Sequence, residues 1–390
     1  MTPHAQHRHN TTLDRRQFAM QLGAGSLAAA SALSRIPTAV AVESADPAHR
    51  FPLAETFAGS PRERGRQYGS RFQADIAGFL EREIYGAFVG RPAKRDELLR
   101  YADACAGRLQ GYSPVVHEEM TGIAEGTGLT LSEVTLISLH EELYHRGDLP
   151  PVEHCTAVAV GPPDTNGGTF VGQTWDWMQS VFGLSRVVHW QRSEGPAVLA
   201  YGFPGMWCGA GLNSAGLALC WTSADLGTKG LGVRIGIPSY ALLTHFLYQS
   251  SLDEVAEEAR RATNAGWFTF VMADGQGNLL NVEGSPRQIV VEKATGHLVR
   301  VGFGSRAMSE KPSGPPIRMH PRCARMQDLL TESSGKTDLG QMQRFFEDPA
   351  CQISVGKSTI DMMVFDCTAR VAYCSRGPSY ATAWQRFTFT

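Results

Sequence analysis

The chain has 390 residues, of which 43% are hydrophobic and 19% charged, enough to bury one large core or two moderate ones. Its 36 Lys and Arg nearly balance 38 Asp and Glu, so no whole-protein field recruits nucleic acid or an anionic membrane, and a small molecule is the expected partner. Eight cysteines with no CxxC pair make no dense disulfide framework, which leaves packing as the expected source of stability.

In chain order, Asp14-Arg15-Arg16-Gln17-Phe18 precedes an apolar, small-residue run from Ala19 to Leu33, and Ala39-Val40-Ala41 supplies the small residues a signal peptidase needs. The order resembles a twin-arginine export signal, with a run too short to span a bilayer. Met1 to Ala41 is therefore set apart from the fold, and the mature protein is expected to be periplasmic or secreted, with no membrane span.

From Pro61 to His145 the pattern is helical: Tyr68, Phe72, Ile76, Phe79 and Leu80 recur at three- and four-residue steps. Thr130-Leu131-Ser132-Glu133 is a capping box that opens a helix toward Tyr144, and Asp148-Leu149-Pro150-Pro151 ends it. Beyond Cys155 the period changes. Runs at Thr156 to Val160, Thr169 to Trp175, Arg186 to Gln191, Ala197 to Phe203 and Leu217 to Thr222 read as strands. Asn166-Gly167 and Ala273 to Asn278 are turn signals. Helical stretches follow at Ser239 to Thr263, with Ser251-Leu252-Asp253-Glu254 as a second capping box, and around Arg322 to Phe346; strands return at Asp361 to Phe365 and Val371 to Cys374. The Pro- and Gly-rich Lys311 to Pro316 reads as a surface loop. Helices, then antiparallel strands, then both again predict an α+β layered fold without a parallel βαβ repeat.

His154-Cys155-Thr156 sits where helix gives way to the first strand of a sheet. A cysteine there can equally be a small core residue. Downstream stand Gly172-Gln173-Thr174-Trp175-Asp176-Trp177, Pro204-Gly205 and Gly211-Leu212-Asn213-Ser214-Ala215-Gly216-Leu217. Further on come Val233 to Ser239, Met272-Ala273-Asp274-Gly275 with Val282-Glu283, and Arg322 with Arg325 before Leu329-Leu330. As a set, covering roughly Glu55 to the C-terminus, these resemble the isopenicillin-N acyltransferase-like branch of the N-terminal-nucleophile hydrolases, related to the choloylglycine hydrolases.

The resemblance implies an αββα sandwich of two antiparallel sheets between helical layers. It also implies a precursor that cuts itself between His154 and Cys155, into a small chain (42–154) and a large catalytic chain (155–390) that stay associated. Cys155 would then be nucleophile and, through its freed α-amine, base, since an α-amine titrates near pH 7.7–8.0. Asp176 matches the aspartate that orients that amine; at a strand end it is also a turn-capping residue. Asn213 matches an asparagine donating to the oxyanion hole, and Asn-Ser-Ala-Gly is equally a hairpin turn. Arg322 matches an arginine near the cysteine, where it would lower the thiol pKa or hold a carboxylate, with Arg325 one turn on. Trp175, Trp177, Met178, Phe182, Phe203, Met206 and Trp207 would line an acyl pocket or simply pack the core.

Two departures from the family stand out. Where relatives carry a Thr-Asn pair, this chain reads Val301-Gly302-Phe303-Gly304, and His154 stands where many relatives have glycine. No cofactor and no metal are expected. His140 to His145 resembles a zinc motif, but its histidines are about 140° apart around a helix and read as ordinary helix polar residues. Asp274 to Asn278 lacks the remaining ligands of a calcium loop. The expected activity is a thiol amidohydrolase acting through an acyl-Cys155 thioester; an acyltransferase to an amine, or an exported binding protein of weakened turnover, are the alternatives.

Overall fold

The computed structural model describes residues 49–89, 94–144, 155–223, 233–301, 321–351, 359–377 and 383–389. The expected export signal, the helix stop at Asp148 to Pro151, His154, Gly302 to Gly304 and the Lys311 to Pro316 loop lie outside them.

A short strand, β1 (Glu55–Phe57), leads into helices α1 (Pro61–Arg71) and α2 (Gln73–Phe79). A π-helical turn, Leu80–Tyr85, continues into α3 (Gly86–Phe88), and α4 (Arg95–Tyr112), α5 (Pro114–Thr127), α6 (Leu131–Ser138) and α7 (His140–Tyr144) follow. The capping box at Thr130 forms in both directions, Glu133 N to Thr130 Oγ1 at 3.2 Å and Thr130 N to Glu133 Oε2 at 2.9 Å. The helix it opens stops at Ser138, and α7 restarts it as a separate turn.

Helices α1 and α5 approach until their backbones touch. A Cβ on Gly65 would lie 2.0 Å from the Glu119 carbonyl oxygen, and one on Gly122 2.1 Å from that of Arg62. Gly69 and Gly126 repeat the contact one turn on, so glycines four apart on each helix set the spacing. Buried Arg64 donates to Glu119 Oε1 (2.6 Å) across this interface, and Trp190 Nε1 (2.8 Å) and Tyr248 Oη (2.7 Å) complete the carboxylate's shell. Burial raises the Glu119 pKa, and Arg64 and the two hydrogen bonds oppose the rise.

The strands are β2 (Thr156–Val160), β3 (Phe170–Asp176), β4 (Arg186–Trp190), β5 (Val198–Phe203), β6 (Met206–Asn213) and β7 (Ala218–Ser223). After helices α8 (Ser239–Leu247) and α9 (Leu252–Arg261) come β8 (Phe268–Ala273), β9 (Leu279–Gly284), β10 (Ile289–Ala294) and β11 (His297–Val301). Then follow α10 (Pro321–Glu332), α11 (Leu339–Glu347), β12 (Thr359–Asp366), β13 (Val371–Arg376) and β14 (Gln385–Thr388). They form an eight-stranded sheet ordered β1-β4-β5-β6-β7-β8-β9-β10 and a six-stranded sheet ordered β11-β2-β3-β12-β13-β14. Every pairing is antiparallel except β1 with β4.

β2 and β3 lie against β7 and β8, so the sheets face one another; α8 and α9 cover the eight-stranded sheet, and α10 and α11 the six-stranded one. This is the expected αββα sandwich. Strand alternation divides β2 between two cores: Ala157 and Ala159 face the inter-sheet core, while Val158 and Val160 join Met326, Leu330 and Phe346 under α10 and α11. The Ser251 box is half formed, because Ser251 Oγ accepts Glu254 N (3.2 Å) while Glu254 Oε2 takes Ser250 N instead (2.7 Å). Among the described residues no helix is long and apolar enough to cross a membrane.

Candidate active site

Thr156 pairs with Thr174 across β2 and β3, which places Cys155, one residue earlier, level with Trp175. The thiol-bearing residue is buried, and its carbonyl accepts a hydrogen bond from Thr222 Oγ1 (3.1 Å) on the facing sheet. Behind it, on the α10 side, Thr156 N donates to Thr174 Oγ1 (3.1 Å), and Thr174 Oγ1 donates to Asp176 Oδ2 (2.8 Å). Arg322 Nη1 reaches both Thr156 Oγ1 (3.0 Å) and Asp176 Oδ2 (3.3 Å). The Thr359 hydroxyl donates to the other Asp176 oxygen. A buried carboxylate with a guanidinium and two hydroxyls is a satisfied charge in fixed orientation.

Burial pushes the Cys155 thiol up, and the charge of Asp176 adds to the rise; the Asp176 backbone amide and Arg322 act the other way.

The structure brings together Cys155, Asp176 and Arg322. Asp176 faces away from its neighbour Trp175. Alternation turns Thr174 and Asp176 toward α10, while Trp175 packs on Tyr201 (5.3 Å) and Phe203 (5.2 Å) of the eight-stranded sheet. Arg322 serves as a carboxylate holder.

Asn213 does not join this group, which corrects its assignment to the oxyanion hole. Both its amide hydrogens go to carbonyl oxygens, of Leu247 (3.0 Å) and Gln249 (2.8 Å), and its Oδ1 accepts from Ala215 N and Leu217 N (both 3.0 Å). It caps the β6–β7 turn, where Gly216 takes φ +92°. Thr222, the residue that touches Cys155, is five residues beyond Leu217, about 17 Å along the strand.

Among the proposed pocket residues, Phe203 packs on Trp175, and Trp177 lies against His140 (4.8 Å) and Tyr144 (5.3 Å). Trp207 instead stacks on Trp190 (5.6 Å), whose indole belongs to the Arg64–Glu119 network. Arg325 is half-exposed and paired with Asp348 (2.7 Å), and Arg322, one turn before it, is the arginine that reaches Asp176.

His140, Glu141 and Glu142 are not ordinary helix polar residues; all three are buried. Glu142 Oε1 accepts from Ser239 N (2.8 Å) and Ser239 Oγ (2.6 Å) at the start of α8. Glu141 accepts from Tyr240 Oη (3.3 Å), and burial, with the neighbouring Glu142 charge, pushes its carboxyl to about 8. Its charge also acts on the Cys155 thiol. Burial lowers His140 to about 3; neither ring nitrogen makes a hydrogen bond, and Nδ1 lies 4.0 Å from Glu141 Oε1. The signal was present in the sequence as three ionisable residues set between Leu139 and Leu143. No group of three or more His, Cys, Asp and Glu side chains among the described residues is placed to hold a metal.

The family model of acyl-coenzyme A:6-aminopenicillanic acid acyl-transferase matches residues 164–378. The chain belongs to that family. The match takes in Asp176 and Arg322 and begins after Cys155. A curated member, the 40 kDa form of acyl-coenzyme A:6-aminopenicillanic-acid-acyltransferase from Emericella nidulans, is 25% identical over 292 residues, covering 73% of this chain and 78% of its own. Among solved structures, penicillin V acylase from Agrobacterium tumefaciens is 13% identical with a TM-score of 0.39, over 56% of this chain and 82% of that one. A variant of conjugated bile acid hydrolase from Clostridium perfringens is 14% identical with a TM-score of 0.40, over 60% and 97%.

Proposed function

We propose that this member of the acyl-transferase family is an exported amide hydrolase, activated by cleavage between His154 and Cys155, that works through an acyl-Cys155 thioester. The observation that carries the reading is Cys155 at the head of β2, with Asp176 fixed behind it by Arg322, Thr174 and Thr359. Cleavage places an α-amine on Cys155, beside a carboxylate already oriented. That amine takes the thiol proton as sulfur adds to the substrate carbonyl, and returns it to the departing amine nitrogen. Water then hydrolyses the thioester. In the uncut chain burial and the Asp176 charge raise the Cys155 thiol, so turnover of substrate waits for the cut to supply an α-amine as base.

The name of the Emericella nidulans relative supports a second reading, in which an amine rather than water receives the acyl group. Export, as read from Arg15-Arg16 and the run after it, favours water.

Intact-mass measurement of the purified protein should find two fragments, the larger beginning at Cys155. Cys155→Ala should leave one chain and no amine release from a panel of N-acyl amino acids, penicillins, acyl-homoserine lactones and β-alanyl amines. A single uncut but fully active wild-type chain overturns the mechanism. Adding 6-aminopenicillanic acid to the turnover assay separates the readings, since an acyltransferase forms a new amide and a hydrolase forms free acid.

A further inference from the structure

With Asn213 spent on the β6–β7 turn, the tetrahedral intermediate at Cys155 needs other donors for its oxygen. Gln173 lies on β3 opposite Ala157, two residues along the strand from the level of Cys155. It is buried, and its Oε1 accepts from Trp221 N (2.9 Å) on the facing sheet. Trp221 precedes Thr222, whose hydroxyl holds the Cys155 carbonyl. Because a backbone N–H must meet the oxygen of the amide, the orientation of Gln173 is fixed, and its Nε2 turns away from Trp221 N. That Nε2 has no protein partner, and neither has the buried indole Nε1 of Trp221. The Trp221 ring lies against Trp175 (5.9 Å), the residue level with Cys155, and against Tyr240 (5.0 Å).

Two buried donors without acceptors, on the side of β3 that Cys155 shares with Trp175, are an expense that a fold tolerates for a reason. We propose that Gln173 Nε2, with Trp221 Nε1 beside it, donates to the oxyanion formed when Cys155 adds to an amide carbonyl. The step forms the S–C bond, moves the carbonyl π pair onto oxygen and passes the thiol proton to the Cys155 α-amine. The Trp221 amide anchors the Gln173 side chain before substrate arrives, so the donor needs no reorganisation as charge develops. The inference rests on the reading of Cys155 as nucleophile and gives that site its missing charge stabiliser.

Two variants separate a donor from a structural residue. Gln173→Glu, assayed at about pH 9 where the new carboxyl is ionised, keeps an acceptor for Trp221 N and loses the donor; Gln173→Met loses both. The assay is amine release from the acyl-amide of the panel that the wild type hydrolyses fastest, normalised to the processed fraction, with melting temperature and the rate of Cys155 alkylation by iodoacetamide measured alongside. Alkylation passes through no oxyanion, so it should persist in both variants while kcat falls about 100- to 1000-fold in each. Trp221→Phe should give a smaller loss in kcat with KM little changed. Near wild-type kcat in Gln173→Glu overturns the inference, as does rescue by Gln173→Glu of an activity that Gln173→Met loses together with its melting temperature. A wild-type protein that neither alkylates at Cys155 nor releases amine overturns the parent reading, and this inference with it.

Discussion

Glu141 is a carboxyl buried beside the thiol, with Tyr240 as its hydrogen-bond donor and Glu142 as a like-charged neighbour. His140, next to it, is held neutral by burial and offers no compensating charge. In the unfolded chain a glutamate releases its proton near pH 4.3; folded, Glu141 keeps it up to about pH 8. The folded state thus binds the extra proton between those values, and stability from this group is lost as pH rises through that window. Glu141→Gln keeps the shape without the proton. In the uncut Cys155→Ala background, its melting temperature should match the parent near pH 4 and exceed it by several degrees at pH 8.5. A difference independent of pH would show that Glu141 is not the titrating group. Cys155, Asp176 and Arg322 were legible as a group from the recognisable strings in which they stand, and the structure places them together. Glu141 and Gln173 were not, because burial of a polar side chain depends on what packs over it, and neither α8 nor the facing sheet is visible in a local window.

At the scale of elements, glycine spacing rather than side-chain packing governs the α1–α5 pair. Gly122→Ala would put a Cβ 2.1 Å from the Arg62 carbonyl oxygen, a contact with backbone that no rotamer change relieves. Forcing the helices apart should destabilise the fold by about 1–3 kcal/mol, read as a drop of several degrees in melting temperature. An alanine at Gly107 of α4, which meets nothing within 4 Å, should be neutral or slightly stabilising and serves as the control. Equal melting of the two variants would remove the close approach as the reason for these glycines. Strand boundaries were legible where β-branched residues dominate: β2 spans the expected Thr156 to Val160, and β13 begins at the expected Val371. β6 was missed because Gly209 and Gly211 lower its strand propensity; they lie there because Trp175 and the Leu199 carbonyl leave no room for a Cβ. β1 was missed because three residues show no period, and its parallel pairing with β4 joins segments far apart in sequence.

Across the whole molecule, the segment before Cys155 is built into the segment after it. β1 hydrogen-bonds along β4, with Glu55 opposite Val188 and Phe57 opposite Trp190. Tyr68 donates to the Phe203 carbonyl (3.1 Å), Tyr112 to that of Glu258 (2.8 Å) and Tyr101 to that of Arg234 (3.0 Å). The Glu119 carboxylate is shared by Arg64 on one side of the proposed cut and by Trp190 and Tyr248 on the other. Glu142 is bound by Ser239 at the start of α8. Residues of both segments, including Phe57, Tyr68, Ile123, Ile137, Trp190 and Phe246, belong to one buried core. Cutting a single peptide bond before Cys155 leaves these contacts unbroken, because none of them runs through the cut. After cleavage the two fragments should therefore co-elute in native size-exclusion chromatography and melt in one transition, separating only in denaturant. Separating them should abolish turnover even though Cys155, Asp176 and Arg322 all reside on the larger fragment, since Glu142, β1 and helices α1 to α7 would leave with the smaller. A large fragment that stays folded and active alone would show that the segment before Cys155 is dispensable once the chain is cut.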